Sequence, residues 1–120
     1  MITLTLPYPP TVNHLYSVVN GRKVLSAKGR EYIRQVHDTV RNQLGACRFG
    51  AARISYTVNV YPPDNRRRDL SNLVKAVEDA LTKAGLWDDD SQVDHMTWQR
   101  GPASKGGSLF MVVADMEATC

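Results

Sequence analysis

The sequence predicts an α+β fold, in which two helices pack on a small mixed β-sheet in the order β-α-β-α-β-β. Two kinds of pattern predict this class. Two long segments repeat apolar residues at helical spacing, and four shorter segments have the alternation or the β-branched content of strands. The 120 residues suffice for one two-layer core. We therefore expect a single domain over residues 1–120.

The first predicted element is a short strand followed by an irregular stretch. Residues 1–7 alternate apolar and polar side chains, and the prolines that follow end the strand. Residues 11–25 show no sustained period. Within them Asn20-Gly21 is a turn signal that could join two short extended pieces.

The second element is a helix over about residues 27–45. Ser26 is a candidate N-cap, and Gly45 is suited to close the helix. The apolar residues at helical spacing are Tyr32, Ile33, Val36, Val40 and Leu44.

The second half of the chain predicts a strand, a helix and two further strands. Residues 53–61 alternate strictly and are rich in β-branched and aromatic types. A helix is predicted over 70–84, followed by strands at 92–99 and 108–116. The apolar face of the helix is expected to carry Leu70, Leu73, Val74, Val77, Ala80, Leu81 and Ala84. Its polar face is expected to carry Ser71, Asn72, Lys75, Glu78, Asp79, Thr82 and Lys83.

The charge distribution divides the chain into a basic and an acidic part. Residues 1–68 hold eleven basic and three acidic side chains, and residues 69–120 hold four basic and nine acidic ones. This asymmetry suggests a polyanion-binding surface beside an acidic site. No apolar run approaches a transmembrane length, and no signal peptide is recognisable. The two cysteines, Cys47 and Cys120, are too few for a disulfide framework, which favours a reducing compartment.

The residues that could carry chemistry are concentrated between 64 and 94, which hold eight of the twelve carboxylates. Arg66–Arg68 runs directly into Asp69 at the start of a helix, and Asp88–Asp90 follows the end of that helix. A helix returning on a strand could bring these aspartates to one edge of the sheet. Carboxylates gathered in this way bind Mg²⁺ or Mn²⁺. A site of this kind hydrolyses phosphodiesters because the bound metal ion activates water. The arginines would hold the phosphates of a nucleic acid.

A structural interpretation of the same residues stays open. An aspartate triplet after a helix is commonly a solvated loop, and an arginine triplet is commonly a solvated turn. Lys75 beside Asp79 has the spacing of a simple surface ion pair. A regulatory domain whose charged runs contact a protein partner is a further alternative.

The string RRRDLSNLVKAVEDALTKAGLWDDDSQV at 66–93 resembles the RusA family of Holliday-junction resolvases, which are crossover junction endodeoxyribonucleases. The segment LPYPPTVNHLY at 6–16 is similar to the opening strand and Pro-Pro-x-x-Asn segment of that family. Lys-Gly-Gly at 105–107, before the last strand, is similar as well. The resemblance covers essentially the whole chain.

This resemblance implies a homodimeric, Mg²⁺-dependent endonuclease that nicks four-way DNA junctions, with Mn²⁺ expected to substitute. Such enzymes act in DNA recombination and repair and are typically encoded by phages and prophages. We therefore expect it to work in the cytoplasm of a bacterial host. The implied catalytic residues are Asp69, Lys75 and Asp90. The implied metal ligands are Asp69 and Asp90, with help from Asp89, Ser71 or Asp79. The expected DNA-binding residues are Arg66, Arg67, Arg68, Lys75 and Lys105.

The chain departs from the family pattern at Ser71, where a second aspartate is expected. A hydroxyl binds Mg²⁺ weakly and brings no charge. Three alternatives follow: another residue such as Asn72, Asp79 or Asp88 fills the gap, the metal binds more weakly, or the protein binds branched DNA and cuts it poorly. Asp79 is the best substitute on helix geometry.

Overall fold

The computed structural model describes residues 1–115, apart from the side chains of Val12, Asn13 and Asp115. Two long helices, one short helix, a 3₁₀ turn and six strands make up this part of the chain. In chain order they are β1 (Ile2–Pro7), α1 (Val12–Leu15), β2 (Tyr16–Val19), β3 (Arg22–Leu25), α2 (Ala27–Leu44), β4 (Ile54–Tyr61), α3 (Ser71–Lys83), the 3₁₀ turn (Asp90–Gln92), β5 (Val93–Arg100) and β6 (Ser108–Asp115).

The main sheet has four strands in the order β1-β6-β4-β5. Strand β4 pairs parallel with β5 and antiparallel with β6, and β6 pairs antiparallel with β1. Strands β2 and β3 form a separate two-stranded hairpin. The prediction of helices on a small mixed sheet is therefore confirmed.

The core lies on one face of the main sheet, beneath the two long helices. Strand β4 alternates between buried and partly exposed residues along its length, because successive side chains of a strand point to opposite faces. The buried residues that share the core come from both layers. They include Leu4, Leu6, Tyr32, Val36, Val40, Tyr56, Val58, Val77, Leu81, Trp87, Leu109 and Met111.

The predicted caps and turn are present. The Ser26 hydroxyl accepts a hydrogen bond from the Gly29 amide at 3.0 Å, and α2 begins at Ala27, directly after Ser26. Asn20 and Gly21 both have positive φ, at 51° and 74°, in the turn that joins β2 to β3. Positive φ at both central residues is the requirement of a tight hairpin turn, so the turn signal and both extended pieces are confirmed.

Helix α1 was missed by the sequence prediction, which left residues 11–25 irregular. Four residues are too few to show a helical period. The short helix packs against α2 at Gly29, where a Cβ atom would lie 2.3 Å from the Leu15 carbonyl oxygen. Only glycine permits this approach, which fixes the start of the β2–β3 hairpin, and with it Tyr16, against the helical layer.

Two exclusions drawn from the sequence have different outcomes. No helix in the described part of the chain is long and apolar enough to cross a bilayer. Cys47, however, is disulfide-bonded, although one such bond does not make the disulfide framework that the sequence analysis excludes. The other cysteine, Cys120, lies outside the described residues, as does residue 116 of the last predicted strand. Cysteine usage therefore gives no support to a reducing compartment.

Candidate active site along helix α3

Helix α3 connects two parallel strands and carries acidic residues near both of its ends. Asp69 follows β4 and directly precedes the helix, and Asp90 precedes the start of β5. Strands β4 and β5 run parallel, with Ile54 opposite Val93, so the helix crosses back between them. The grouping of Asp69 with Asp90 stays a prediction.

Lys75 is held between two aspartates at the middle of α3. Its Nζ atom lies 3.1 Å from Asp79 Oδ1 and 3.7 Å from Asp90 Oδ2. Asp79 is one helical turn further along α3, and Asp90 is on the 3₁₀ turn that packs beside the helix. The hydrogen bond to Asp79 is the largest cause that raises the pKa of Lys75, with Asp90 adding to it. The amine therefore stays charged.

Tyr16 also belongs to this group, although no sequence pattern indicated it. Its hydroxyl donates a hydrogen bond to Asp79 Oδ2 at 3.1 Å. Burial of the phenol, followed by its hydrogen bond to Asp79, raises the pKa of Tyr16. The hydroxyl therefore remains a donor to one oxygen of the Asp79 carboxylate, while Lys75 contacts the other.

Glu78 is buried, whereas the helical pattern placed it on the exposed polar face. It is 9% exposed and accepts a 2.5 Å hydrogen bond from the Tyr56 hydroxyl. Trp98 donates in turn to the same hydroxyl at 3.2 Å. Burial is the main cause that raises the pKa of Glu78, and the nearby charge of Asp90 raises it further. We call Lys75, Glu78, Asp79 and Asp90 the carboxylate cluster.

The 3₁₀ turn that carries Asp90 is fixed by its neighbours. The Asp89 carboxylate caps the turn by accepting from the Ser91 amide at 3.1 Å and from the Ser91 hydroxyl. The Gln92 side chain accepts from the Asp89 amide and donates to two carbonyls that precede β4. The Ser91 hydroxyl is the largest cause that lowers the pKa of Asp89. Asp89 thus holds the turn, and the Asp88 side chain makes no hydrogen bond or ion pair within residues 1–115.

The basic loop, residues 64–68, is organised by one carboxylate. Asp64 accepts a hydrogen bond from the Arg66 amide at 2.9 Å and from the Arg68 guanidinium at 2.6 Å. These bonds, with that of Arg68 the largest, lower the pKa of Asp64 to about 2. Arg68 also lies over the Tyr8 ring, 5.8 Å from its centroid. Arg68 is therefore committed to the loop, while Arg66 and Arg67 extend into solvent.

The segment between β5 and β6 lies against the basic loop. Arg100, at the end of β5, donates to the Arg68 carbonyl oxygen. Gly107 has a φ of 70°, and a Cβ there would lie 2.9 Å from Tyr8 and 3.0 Å from Pro63. The connection is thus anchored beside Tyr8, and Lys105 is exposed on it. Arg100 joins the predicted basic residues at this edge, which the sequence prediction did not foresee.

Asp69 and Ser71 occupy two neighbouring surfaces at the start of α3. Asp69 lines a cavity with Tyr8, Asn72 and other residues, whereas Ser71 shares a surface with Lys75. The structure thus brings Lys75, Asp79 and Asp90 together, and Asn72 lines both of the neighbouring surfaces that carry Asp69 and Ser71. Within residues 1–115 no three His, Cys, Asp or Glu side chains are grouped as a metal site.

Comparison with known proteins identifies the family. The profile described as Endodeoxyribonuclease RusA matches residues 7–108. The chain belongs to the RusA family. It is 40% identical over 115 residues to the crossover junction endodeoxyribonuclease RusA of Escherichia coli (strain K12), which covers 95% of this chain and 94% of that protein.

Further RusA relatives come from another bacterium and from a phage. The protein of the same name from Shigella sonnei is 40% identical over 95% of this chain and 94% of its own length. That of Enterobacteria phage 82 is 40% identical over 94% of this chain and 93% of its own length. The matched RusA region includes the basic loop and the whole carboxylate cluster, so the resemblance read from the central motif is confirmed.

Proposed function

We propose that this chain is a structure-specific endodeoxyribonuclease that resolves four-way DNA junctions by paired, Mg²⁺-dependent hydrolysis of phosphodiester bonds. The name that its relatives share supports a junction as the substrate. The observation that carries the chemistry is the Lys75 amine between Asp79 and Asp90. With relatives in enteric bacteria and a phage, we place its work in recombination and repair in the bacterial cytoplasm.

The carboxylate cluster fits a divalent cation by its donor chemistry. Mg²⁺ and Mn²⁺ take oxygen ligands, and Mg²⁺ usually binds through one or two carboxylates, several waters and substrate phosphates. Asp79 and Asp90 supply two such carboxylates, and the Lys75 ammonium between them shows that the position favours positive charge. The bound ion would activate water and polarise the scissile phosphate. Asp69, Asp89 and Ser71 remain proposed contributors.

The chain's own residues hold and balance charge around that ion. Lys75 stabilises the negative charge that develops on the phosphate, and its raised pKa keeps it protonated for this task. Tyr16 fixes Asp79, and the capped 3₁₀ turn fixes Asp90. Both candidate ligands are therefore held in place before substrate binds, which reduces the ordering required in the transition state.

The basic loop and the β5–β6 connection supply the DNA-binding surface in this proposal. Arg66, Arg67 and Lys105 are exposed at one edge of the sheet and available for phosphate contacts, while Arg68 holds the loop. Phosphate contacts position a duplex without reading its sequence, as recognition of a branched shape requires. A homodimer with two-fold symmetry would present two such surfaces and cut two opposed strands.

Cleavage of a synthetic four-way junction tests the proposal. Purified protein with Mg²⁺ is expected to produce symmetrically paired nicks near the branch point, and to leave a linear duplex of the same sequence intact. Adding EDTA should abolish the nicks. Nicks at single, unpaired positions, equal cutting of the duplex, or no cutting at all would contradict it.

A binding protein with weak cleavage is a second candidate, favoured by the uncharged Ser71 at a position where the family pattern has aspartate. The discriminating variant is Ser71→Asp. If the natural protein binds junctions but cuts negligibly, and Ser71→Asp cuts robustly, the binder is the correct assignment. Similar cutting by both proteins would support the resolvase.

A further inference from the structure

A cavity of about 420 Å³ lies at the start of α3, apart from the carboxylate cluster. Its volume is within the range of small-molecule sites, roughly 300–1,000 Å³. The residues that matter here are Tyr8, Pro9, Pro10, Arg67, Asp69 and Asn72. The segment after β1 forms one side, and the end of the basic loop with the first turn of α3 forms the other.

The polar residues of this cavity have unused bonding capacity. The Asn72 amide group and the Arg67 guanidinium make no hydrogen bond or ion pair within residues 1–115, and Asp69 likewise has no ion-pair partner there. The Tyr8 hydroxyl, which has no hydrogen-bond partner among the described residues either, is buried near Arg68, Arg100 and Asp64 and does not open into the cavity. The Asn72 amide and the Arg67 guanidinium are therefore the groups that point to a polar ligand.

The apolar residues specify the shape of that ligand. Tyr8, Pro9 and Pro10 give the cavity flat, rigid surfaces of the kind on which nucleic-acid bases stack. Arg67 offers a positive charge for a phosphodiester. Asn72 offers both a donor and an acceptor, the pair that reads a base edge. Aromatic face, cation and amide together match a nucleotide.

We propose that this cavity takes one unpaired nucleotide of the DNA substrate, with Asn72 reading the edge of its base. The inference rests on the proposed function and extends it by assigning a base-recognition site to a surface that otherwise contacts phosphates. Extruding a base costs least where pairing and stacking are already weakened, and the branch point of a four-way junction is such a place. Asn72 then determines at which sequences the junction is held in register for cutting.

A double-mutant cycle, which combines a substitution in the protein with a change in the DNA, tests the site directly. The probes are four-way junctions that carry either a complete sequence or one abasic site, placed in turn at each position near the branch point. Dissociation constants of the natural protein and of Asn72→Ala are measured by fluorescence anisotropy in EDTA. We expect Asn72→Ala to weaken binding about tenfold on the complete junction, and not to weaken it when the abasic site removes the recognised base.

Matched variants separate recognition from folding. Asn65→Ala removes an asparagine of the neighbouring basic loop that does not line the cavity, and its effect should be the same on complete and abasic junctions. Asn72→Asp keeps the size of the side chain and loses its amide donor, and should show the same dependence on the base as Asn72→Ala. Melting temperatures of all variants confirm that they are folded.

The outcomes distinguish this inference from the proposed function. If Asn72→Ala weakens binding equally on every junction, or on none, the nucleotide site is wrong even if the natural protein cuts junctions in Mg²⁺. If the effect of Asn72→Ala depends on the recognised base but no junction is cut, the nucleotide site is supported and the proposed nuclease activity is wrong. If the natural protein does not bind junctions, both are overturned.

Discussion

The basic loop leads into α3 and the carboxylate cluster lies beside that helix, yet the two regions pair their charges in opposite ways. In the loop one carboxylate, Asp64, organises the arginines and leaves Arg66 and Arg67 in solvent. In the cluster one amine, Lys75, faces two aspartates beside a buried glutamate. The loop thus has surplus positive charge for phosphates, and the cluster has surplus negative charge for a cation.

This difference gives the charge asymmetry of the sequence a spatial meaning. The change from the basic to the acidic part falls between Arg68 and Asp69, where α3 is about to begin. Substrate binding and chemistry are therefore expected to respond separately to mutation. Variants of the loop should change affinity, and variants of the cluster should change cleavage.

Lys75→Ala should have the largest effect and should fall on cleavage alone. Removing a cation that stabilises transition-state charge commonly costs about 10²–10³ in rate. We expect a loss of that size in single-turnover junction cutting, with the junction dissociation constant changed by less than about threefold, since the Lys75 amine is paired with Asp79 and Asp90. Lys83→Ala, at the end of the same helix, should cut normally. A loss of affinity equal to the loss of cutting would show that the two regions are not separate.

Tyr56→Phe should destabilise the fold by about 1–3 kcal/mol, because the buried Glu78 carboxylate loses its hydrogen-bond donor. The free energy of unfolding is measured by urea titration. Tyr32→Phe is the matched control, since that hydroxyl donates to a backbone carbonyl at 2.9 Å and no carboxylate is left unpaired. Equal losses in the two variants would show that Glu78 does not depend on Tyr56.

Arg67→Ala should weaken junction binding without slowing the cleavage of bound junction. One phosphate contact fewer reduces the slope of log affinity against log salt by about 1. The measurement is a set of dissociation constants at several salt concentrations. Arg53→Ala serves as the control, because that arginine is paired with Asp94 away from the loop. An unchanged slope would remove Arg67 from the DNA interface.

Asp64→Asn should have the smallest effect, and that effect should depend on pH. Hydrogen bonds from Arg68 and Arg66 lower the pKa of Asp64 from 3.8 to about 2. A carboxyl whose pKa is lowered by folding contributes stability above its unfolded pKa and loses it as the pH falls through the folded value. The small difference in melting temperature between the two proteins should persist from pH 7 to 5 and narrow toward pH 2. A difference that grows on acidification would contradict the ion pair.

Periodic patterns predicted the elements well, because they report local geometry and burial. The helix over 27–45 with its Ser26 cap, the strand at 53–61 and the Asn20-Gly21 turn all follow from neighbours in sequence. The central motif likewise indicated the family from residues within one stretch. Each of these signals is contained in a few consecutive turns of the chain.

Apart from the Lys75–Asp79 pair, which helical spacing indicated, the partners of site residues could not be predicted, since they come from distant segments. Glu78 reads as solvent-facing on the helix, and only the Tyr56 hydroxyl, from β4, explains its burial. Tyr16 reaches Asp79 from the β2–β3 hairpin, a contact between distant segments that no spacing in the sequence indicates. The grouping of Asp69 with Asp90 stays a prediction, because strand order and direction are not encoded in spacing.

Asp90→Asn tests the central claim, that the carboxylate cluster is the metal-binding centre of a junction endonuclease. Junction cleavage in Mg²⁺ and Mn²⁺ binding by calorimetry are measured for the natural protein, for Asp90→Asn and for Asp38→Asn, an exposed aspartate on α2. Asp90→Asn is predicted to lose Mn²⁺ binding and at least about a hundredfold in cleavage, with junction affinity retained and Asp38→Asn unchanged. Normal cutting and normal Mn²⁺ binding by Asp90→Asn would contradict the account.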